Sequence, residues 1–350
     1  MSTPALRDEV LMEAVRAMEE NDYKVNICAK LLNLPRSTLQ HRLRLAEERG
    51  LKPARPNPIG SEIHIAPEPK EDAEDAIREL VERKKARMSK SLEREKWEHL
   101  IPVQVKEERP IGLFLVGDPH IDDDYCDIGG LERDLSTVGK TPGFFAGHIG
   151  DLTNNWVGRL QRLYANQSTR FDEGLKLTEW MLGLAPNLFV VGGNHDCWEK
   201  GMDLLRFIVR QGTTGHLQAH GARMALRWPS GKEIRIHARH NFSGKSQYSD
   251  THGMKRELLW GHRDHVLVAG HLHIDEARVE PSLDGNVHWL FRVSGYKLID
   301  EYAKENNFKS KRLAPGVALV IDPSQPVPAE RIKPFWDVER AAAYLTWIRK

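Results

Sequence analysis

Five short segments of the sequence bring together residue types that bind metal ions. They contain Asp118 and His120; Asp151 and Asn154; Asn194, His195 and Asp196; His237 and His240; and His271 and His273. Each segment follows or ends an apolar run, which is the pattern of a buried strand. In open α/β sheets, sites collect at the carboxyl ends of the strands. We therefore expect these side chains to converge at one edge of the fold.

The residue types and their spacing indicate which ions are bound. A mixture of carboxylate, imidazole and amide groups suits Mn, Fe or Zn better than the oxygen-only sites of Mg or Ca. Residues i and i+2 point to the same side of an extended chain. Asp118 and His120 are thus expected to aim at one point, and so are His271 and His273. The sequence has no cysteine cluster of the kind that holds structural zinc.

Taken in order, the five segments resemble the motifs of the calcineurin-like metallophosphoesterases. The pattern of that family is D-x-H, G-D-x-x-[DN], G-N-H-[DE], a lone histidine and G-H-x-H. Here it spans Asp118 to His273. The resemblance implies an α/β fold of the αββα sandwich type, with two mixed sheets. It also implies a phosphate-ester substrate and two divalent metal ions, with manganese favoured and iron, zinc or nickel as alternatives.

The resemblance implies seven metal ligands, which are Asp118, His120, Asp151, Asn194, His240, His271 and His273. Asp118, His120 and His273 are expected to hold one ion. Asn194, His271 and the lone histidine are expected to hold the other, with Asp151 bridging the two. We favour His240 as the lone histidine because it shares its side of the strand with Ile236, and His237 is the alternative.

Three further residues, His195, Asp196 and Arg239, are expected to take part in catalysis. His195 matches the family's histidine that is not a ligand, and it is expected to donate a proton to the leaving group. A carboxylate, Asp118 or Asp196, is expected to orient it. Arg239 is expected to stabilise the phosphate oxygens together with the metals. By contrast, we expect Asp122, Asp123 and Asp124 to form a solvated loop, with a role behind the metal ligands as the alternative. Lys297 is expected to be a surface or loop residue that could reach an anionic substrate.

The segment CAKLLNLPRSTLQHRL, residues 28–43, resembles the helix-turn-helix of the Fis family. The matching positions are Ala29, Leu32, Leu34, Arg36, Thr38, Leu39, Arg42 and Leu43. Asn33 replaces the usual Gly, and Asn tolerates the left-handed conformation that such a turn requires. The residues predicted to contact DNA are Arg36, Ser37, Gln40, His41 and Arg44. A helical bundle that binds protein or forms a homodimer is the alternative.

Composition separates the chain into four predicted regions. Residues 1–50 form the small all-α helix-turn-helix domain, and residues 51–109 a proline-containing linker with a charged helix. Residues 110–325 alternate apolar strands with helical patterns and form the catalytic domain. Residues 326–350 form a C-terminal helical extension.

Bulk properties restrict the compartment and the partners. The formal net charge is +1, so composition alone indicates neither a nucleic-acid nor a membrane partner. Three distant cysteines, Cys28, Cys126 and Cys197, favour a reducing compartment. The sequence shows no signal peptide and no apolar run long enough to cross a bilayer. We expect a cytoplasmic protein that does not enter the membrane.

Three functions are compatible with these patterns. The first is a phosphodiesterase or nuclease acting on DNA, an architecture that resembles metallophosphoesterases encoded by tailed bacteriophages and prophages. The second is a phosphatase of nucleotides or other small phosphorylated molecules, with the helices as a regulatory module. The third is a non-catalytic DNA-binding regulator. The second segment reads DLTNNW and lacks the D-R-G of phosphoprotein phosphatases, which disfavours a phosphoprotein substrate.

Overall fold

The computed structural model describes residues 6–21, 23–51, 73–212, 215–283, 285–298 and 313–350. Residues 52–72, the proline-containing part of the predicted linker region, lie outside these ranges. The chain divides into two compact units, Met1–Val81 and Glu82–Lys350.

The described residues contain ten α-helices. They are α1 (Asp8–Glu20), α2 (Val25–Leu31), α3 (Arg36–Glu48), α4 (Ala73–Glu98), α5 (Ile128–Lys140), α6 (Phe171–Gly183), α7 (Asn194–Cys197), α8 (Gly201–Gly212), α9 (His252–Trp260) and α10 (Val338–Ile348). Two 3₁₀ helices span Gly158–Asn166 and Pro328–Glu330.

The described residues also contain twelve strands. They are β1 (Ile101–Gln104), β2 (Ile111–Val116), β3 (Phe144–His148), β4 (Asn187–Gly192), β5 (His216–Ala219), β6 (Gly221–Arg227), β7 (Glu233–Arg239), β8 (Val266–Ala269), β9 (Glu276–Pro281), β10 (Val287–Arg292), β11 (Gly316–Ile321) and β12 (Ile332–Phe335).

Helices α1, α2 and α3 of the first unit pack around a small apolar core. Leu11, Ala14 and Leu39 are fully buried there. The buried thiol of Cys28 donates to the carbonyl oxygen of Ala17 over 3.1 Å, which joins α2 to α1. Asn33, between α2 and α3, has φ 51°, so the left-handed turn predicted at this position is confirmed.

One side of α3 lies open to solvent. The five residues predicted to contact DNA are all exposed on this helix, and they are Arg36, Ser37, Gln40, His41 and Arg44. Arg49, just past the end of α3, instead binds Asp8 and the carbonyl oxygen of Leu6 at 2.6 and 2.9 Å. Arg49 therefore joins the end of α3 to the start of α1.

The second unit is built on two six-stranded mixed sheets. Their strand orders are β1-β6-β7-β8-β10-β9 and β12-β11-β2-β3-β4-β5. Apolar side chains from both sheets, such as Leu113 and Ile236, form one core between them. Helices α5, α6, α8 and α10 share a second core with the outer face of the β2-containing sheet. Helix α9 covers the other sheet. The predicted α/β sandwich of two mixed sheets is confirmed.

Parallel pairing aligns the strands that lead to the metal-binding segments. In one sheet β2, β3 and β4 run parallel to one another. In the other, β7 and β8 are parallel. The carboxyl ends of the strands within each set therefore lie at the same edge of their sheet.

The second unit extends past the predicted boundaries at 110 and 325. Strand β1 pairs with β6, and β12 pairs with β11. Residues on both sides of the predicted catalytic domain thus complete its sheets. Short strands such as these carry too few alternating residues to be recognised from sequence.

The C-terminal helix packs against β2, the strand that leads to Asp118. Asp337 caps α10 by accepting from the backbone amide of Arg340 at 2.9 Å. The fully buried Leu345 joins the core beneath β2. Arg349 then donates to the carbonyl oxygen of Pro110, directly before β2. The described helices include none that is both long and apolar enough to cross a membrane.

His148 at the end of β3 makes stability depend on pH. Its side chain is fully buried, with Nε2 2.9 Å from Asn187 Oδ1. Burial lowers its pKa from 6.5 to about 4. Between these values the unfolded chain binds a proton that the folded chain does not. The stability that the folded state gains from neutral His148 is therefore fully present above pH 6.5 and is lost as the pH falls toward 4.

We expect His148→Gln to weaken this acid sensitivity. As the pH falls, the free energy of unfolding of the wild type should decrease by up to about 1.4 kcal/mol per pH unit through this group. The variant should show no decrease from this position. Urea unfolding at pH 7 and pH 5, followed by tryptophan fluorescence, measures the difference. All nine tryptophans lie in the second unit, so the signal reports that unit. His252→Gln on α9 is the control, and equal pH dependence in wild type and His148→Gln would contradict the assignment.

Candidate metal centre

The predicted ligands lie in loops that follow β2, β3, β4, β7 and β8. Asp151 and His240 form the centre of the cluster, with Asp151 Oδ2 3.1 Å from His240 Nε2. That nitrogen also lies 2.9 Å from Asn194 Oδ1 and 3.1 Å from His271 Nδ1. Residues from four of the five segments thus meet around the His240 imidazole. Asp151 and His240 are buried, whereas Asn194 and His271 are partly exposed.

A second set of contacts surrounds Asp118 and His120. His273 Nε2 is 3.5 Å from Asp118 Oδ2, and the rings of His120 and His273 are 5.1 Å apart. His120 Nε2 in turn lies 3.9 Å from Asp151 Oδ2. Asp151 therefore contacts both sets, and His240 Nδ1 also lies 3.6 Å from Asp118 Oδ1. All seven predicted ligands lie in this one cluster.

Two groups of donor atoms in the cluster are compact enough to hold an ion. His120, Asp151 and His195 form one, and Asp151, His240 and His271 form the other. Within each group the donor atoms lie within 4.8 Å of one another. Asp151 belongs to both groups, which is the position expected of a bridging carboxylate. The first group includes His195, which the sequence pattern assigns to catalysis rather than to binding.

Several buried polar atoms of the cluster are left unsatisfied. Among the described residues, Asp118 Oδ1 and both ring nitrogens of His120 have no hydrogen-bond partner. Such groups are costly to bury, because they lose water without gaining a partner. A divalent cation would satisfy the carboxylate oxygen and one imidazole nitrogen together. The residues present therefore fit a divalent-metal site.

The electrostatics of the cluster fit a cation as well. Burial raises the pKa of Asp118 to about 7, against the opposing effect of His240. Burial also acts to lower the pKa of His240, but Asp151 and Asp118 outweigh it and raise the value to about 9. Burial lowers the pKa of His271 to about 4 and that of His120 well below its usual range. His120 and His271 are therefore neutral and ready to bind a metal, whereas His240 must first release its proton.

Left-handed backbone turns aim the ligands at one another. Four of the seven ligands have positive φ: 42° at His120, 49° at Asp151, 72° at His271 and 52° at His273. Residues with side chains adopt this conformation rarely, and it is concentrated at functional sites. The extended i, i+2 geometry predicted for Asp118/His120 and His271/His273 is thus wrong. β2 and β8 have already ended, and the turns that follow produce the convergence.

His240, rather than His237, reaches the cluster. His237 Nδ1 lies 3.7 Å from Glu257 and 3.8 Å from Asp264, beside Phe242. The side chains of β7 alternate between its two faces, so the positions three residues apart point in opposite directions. The structure therefore favours the sequence-based choice of His240.

Arg239 does not point toward the cluster, and its predicted role beside the metals is wrong. Its Nε donates to the carbonyl oxygen of Asn241 at 3.4 Å, and its guanidinium lies 6.0 Å from the Phe242 ring. This is the side of β7 that His237 occupies. A cation that does contact the ligand loops is Arg292 of β10, which the sequence analysis missed.

Arg292 connects the loops that carry His240 and His271. It is 2% exposed and donates to the carbonyl oxygens of Gly270 and Asp250 at 2.5 and 2.7 Å. A third donor reaches Asn241 Oδ1 at 3.2 Å. Its position inside the apolar strand WLFRVSG was the available signal, because a cation in such a strand must be buried with partners.

His195 is held by a carbonyl group and two indoles. Its Nδ1 lies in hydrogen-bond contact with the carbonyl oxygen of Asn154. Its ring packs 5.0 Å from Trp156 and 4.2 Å from Trp198, measured between ring centroids. Nε2 faces the cluster, 3.9 Å from Asp151 Oδ2. Since a carbonyl oxygen only accepts, the proton of the neutral ring is on Nδ1.

Asp196 does not orient His195, and neither does Asp118. The Asp196 carboxylate accepts from the backbone amides of Gly193 and Leu152 at 2.9 and 3.1 Å. It fixes the loops after β3 and β4 to each other. The predicted carboxylate partner of His195 is therefore replaced by the carbonyl of Asn154.

The loop after β2 is buried rather than solvated. Asp122 is 1% exposed and accepts from the backbone amide of Asn154 at 2.7 Å. Asp123 pairs with Lys297 at 2.9 Å, and Lys297 is 3% exposed. The expected solvation of Asp122 and Asp123 is wrong, because both contact Asn154 in the loop after β3, which favours the alternative of a role behind the ligands. Lys297 is a loop residue, as expected, but it is buried. Asp124 keeps its exposed position and binds Ser168.

Comparison with known proteins adds little beyond this geometry. No family model matches the sequence, and no curated protein matches it. Vps29 of Entamoeba histolytica, complexed with Zn²⁺, is 13% identical, with 64% of this chain and 97% of that chain covered and a TM-score of 0.35. Vps29 of Chaetomium thermophilum is 12% identical, with 60% and 78% covered and a TM-score of 0.34.

A conserved protein of Streptococcus pneumoniae TIGR4, described as a predicted phosphoesterase, is 12% identical. The similarity covers 65% of this chain and 98% of that chain, with a TM-score of 0.26.

Gly193 is required for the close approach of Asp151. A Cβ at position 193 would overlap the Asp151 carboxylate and its backbone nitrogen. We expect Gly193→Ala to displace Asp151 and to weaken metal binding roughly 10- to 100-fold. Metal content after dialysis, measured by mass spectrometry, tests this. Gly183→Ala at the end of α6 is the control, because its Cβ would meet nothing within 4 Å. Full metal retention by Gly193→Ala would show that Asp151 is not a ligand.

Proposed function

We propose that the chain is a metal-dependent phosphoesterase with two divalent ions, acting on DNA as a phosphodiesterase or nuclease. The observation that carries the proposal is the position of Asp151, which belongs to both compact groups of donor atoms. The unsatisfied atoms of Asp118 and His120 support it. Asp118, His120 and His273 would hold one ion, and Asn194, His240 and His271 the other. The mixed donor set favours Mn²⁺.

Two such ions supply charge neutralisation for the phosphate and a water that is deprotonated near neutral pH. The protein positions the groups around them. His195 keeps its Nδ1 proton on the Asn154 carbonyl, so its Nε2 faces the cluster. Protonated Nε2 can give its proton to the leaving oxygen, which general acid catalysis requires. Trp156 and Trp198 restrict the ring to one orientation and limit its access to water.

The N-terminal unit supports DNA as the substrate class. Three helices with a left-handed turn at Asn33 match the helix-turn-helix pattern, whose second helix enters the major groove. The exposed positions of α3 offer donors for bases and phosphates. A phosphatase of nucleotides or small phosphorylated molecules remains the alternative, as does a DNA-binding regulator without catalysis.

Assays with nitrophenyl esters test the catalytic proposal. Wild type loaded with Mn²⁺ should hydrolyse bis(p-nitrophenyl) phosphate faster than p-nitrophenyl phosphate, and it should also cleave DNA. Preference for the monoester without DNA cleavage would favour the phosphatase. Absence of both metal uptake and hydrolysis would favour the non-catalytic regulator.

Two substitutions separate metal binding from proton transfer. Asp151→Ala should abolish turnover and metal binding while the fold is kept. His195→Ala should retain both ions but reduce kcat about 100- to 10,000-fold. Metal content and kcat on bis(p-nitrophenyl) phosphate are the measurements, and His220→Ala at the exposed end of β5 is the control. Loss of an ion from His195→Ala would make His195 a ligand, and full activity would remove its catalytic role.

A substitution on α3 tests the DNA contact. Arg36→Ala combined with Gln40→Ala should weaken binding to double-stranded DNA about tenfold or more, because each good base contact is worth about 1–3 kcal/mol. Fluorescence anisotropy with a labelled duplex measures the affinity. Arg16→Ala, an exposed arginine on α1, is the matched control. Equal losses in both variants would show that charge alone, rather than the α3 surface, attracts the DNA.

A further inference from the structure

Lys297 is a buried cation next to the metal centre that the predicted mechanism does not use. Its side chain is 2% exposed. Nζ lies 2.9 Å from Asp123 Oδ2, 3.3 Å from Asn154 Oδ1 and 5.2 Å from the centre of the Trp156 ring. Burial of an ammonium group is costly unless it is paired, and Asp123 supplies the opposite charge. Lys297 is thus held in one place by three neighbours.

Backbone contacts also hold Lys297 in place. Lys297 forms an antiparallel bridge with Cys126, and the next residue, Leu298, donates its amide to the Tyr125 carbonyl at 2.9 Å. These contacts attach the segment after β10 to the loop after β2. Lys297 therefore reaches Asn154 from an anchored position.

Asn154 is the partner through which Lys297 can act. Its side-chain amide donates to Asp123 Oδ2 and to Gln167 Oε1, both at 2.9 Å. Its backbone amide donates to Asp122, and its side-chain oxygen accepts from Lys297. The side-chain oxygen, the side-chain amide and the backbone amide of Asn154 are thus all hydrogen-bonded. Its remaining polar group is the backbone carbonyl, and that carbonyl contacts His195 Nδ1.

We propose that Lys297 is a positioning residue that fixes His195 through Asn154, which rests on the proposed phosphoesterase function. Without the ammonium, Asn154 Oδ1 loses a donor and Asp123 becomes an unpaired buried carboxylate. The loop relaxes, and the carbonyl that holds the Nδ1 proton of His195 moves. The imidazole then samples the other tautomer and other orientations. Of the predicted ligands, Asp151 also contacts His195, because its carboxylate accepts from the backbone amide of His195 at 2.9 Å.

Lys297→Met, compared with Lys297→Arg, tests the proposal by separating kcat from KM. We expect Lys297→Met to lower kcat on bis(p-nitrophenyl) phosphate about 100-fold, as a small misplacement of a catalytic group does. KM and the affinity for Mn²⁺ should change by less than about twofold, since neither ligand nor substrate contact is removed. Arginine can donate to both Asp123 and Asn154, so Lys297→Arg should recover part of kcat.

A second measurement reports His195 without any turnover. In the metal-free protein, ¹⁵N NMR of the imidazoles should show the wild-type His195 protonated at Nδ1 only. Lys297→Met should show an averaged signal from both tautomers. His195→Ala assigns the resonance. Lys255→Met is the control, because Lys255 also pairs with a carboxylate, that of Glu280 at 3.1 Å, away from the cluster.

The outcomes are distinct. An increase in KM with unchanged kcat would overturn the proposal and make Lys297 a substrate contact. Loss of metal binding together with a lowered melting temperature would make it a structural residue. Unchanged kcat with an unchanged tautomer would also overturn it. If the wild type shows no hydrolysis at all, the proposed function fails, and the NMR comparison alone then decides whether Lys297 positions His195.

Discussion

Two carboxylates buried within one cluster, Asp118 and Asp151, constrain the rest of the second unit. Burial acts to raise the pKa of both groups, and nearby histidines oppose it. Negative charge in a poorly solvated place must be compensated by cations or by donors. The surrounding loops supply imidazoles, backbone amides and the guanidinium of Arg292. The unsatisfied oxygen of Asp118 marks the part of this requirement that the protein does not meet by itself.

The two sheets make this compensation possible because each contributes one edge. Asp118, Asp151 and Asn194 come from the sheet of β2, β3 and β4, whereas His240 and His271 come from the sheet of β7 and β8. Between the edges lies a dry apolar core that fixes their separation. The strained turns at His120, Asp151, His271 and His273 are tolerated because this core holds their ends. The geometry of the site therefore depends on strained backbone conformations at these four residues.

The sequence predicted which residues form the site better than it predicted which residues hold them in place. Ligand types at strand ends could be recognised because each segment follows an apolar run. Alternation along β7 selected His240, and the same alternation places Arg239 on the opposite face, with His237. The burial of Asp122, Asp123 and Lys297 could not be predicted. It depends on contacts with Asn154 and Gln167, which are distant in sequence and reside in loops without periodicity.

The strand order also has a consequence for synthesis of the chain. Strand β2 lies between β3 and β11 in its sheet, and Arg349 of the last turn binds the residue just before it. A ribosome therefore releases the loop with Asp118 and His120 long before β11 exists. Such distant pairing slows folding. A polypeptide that ends before β11 carries all seven predicted ligands but lacks one of the two strands that flank β2.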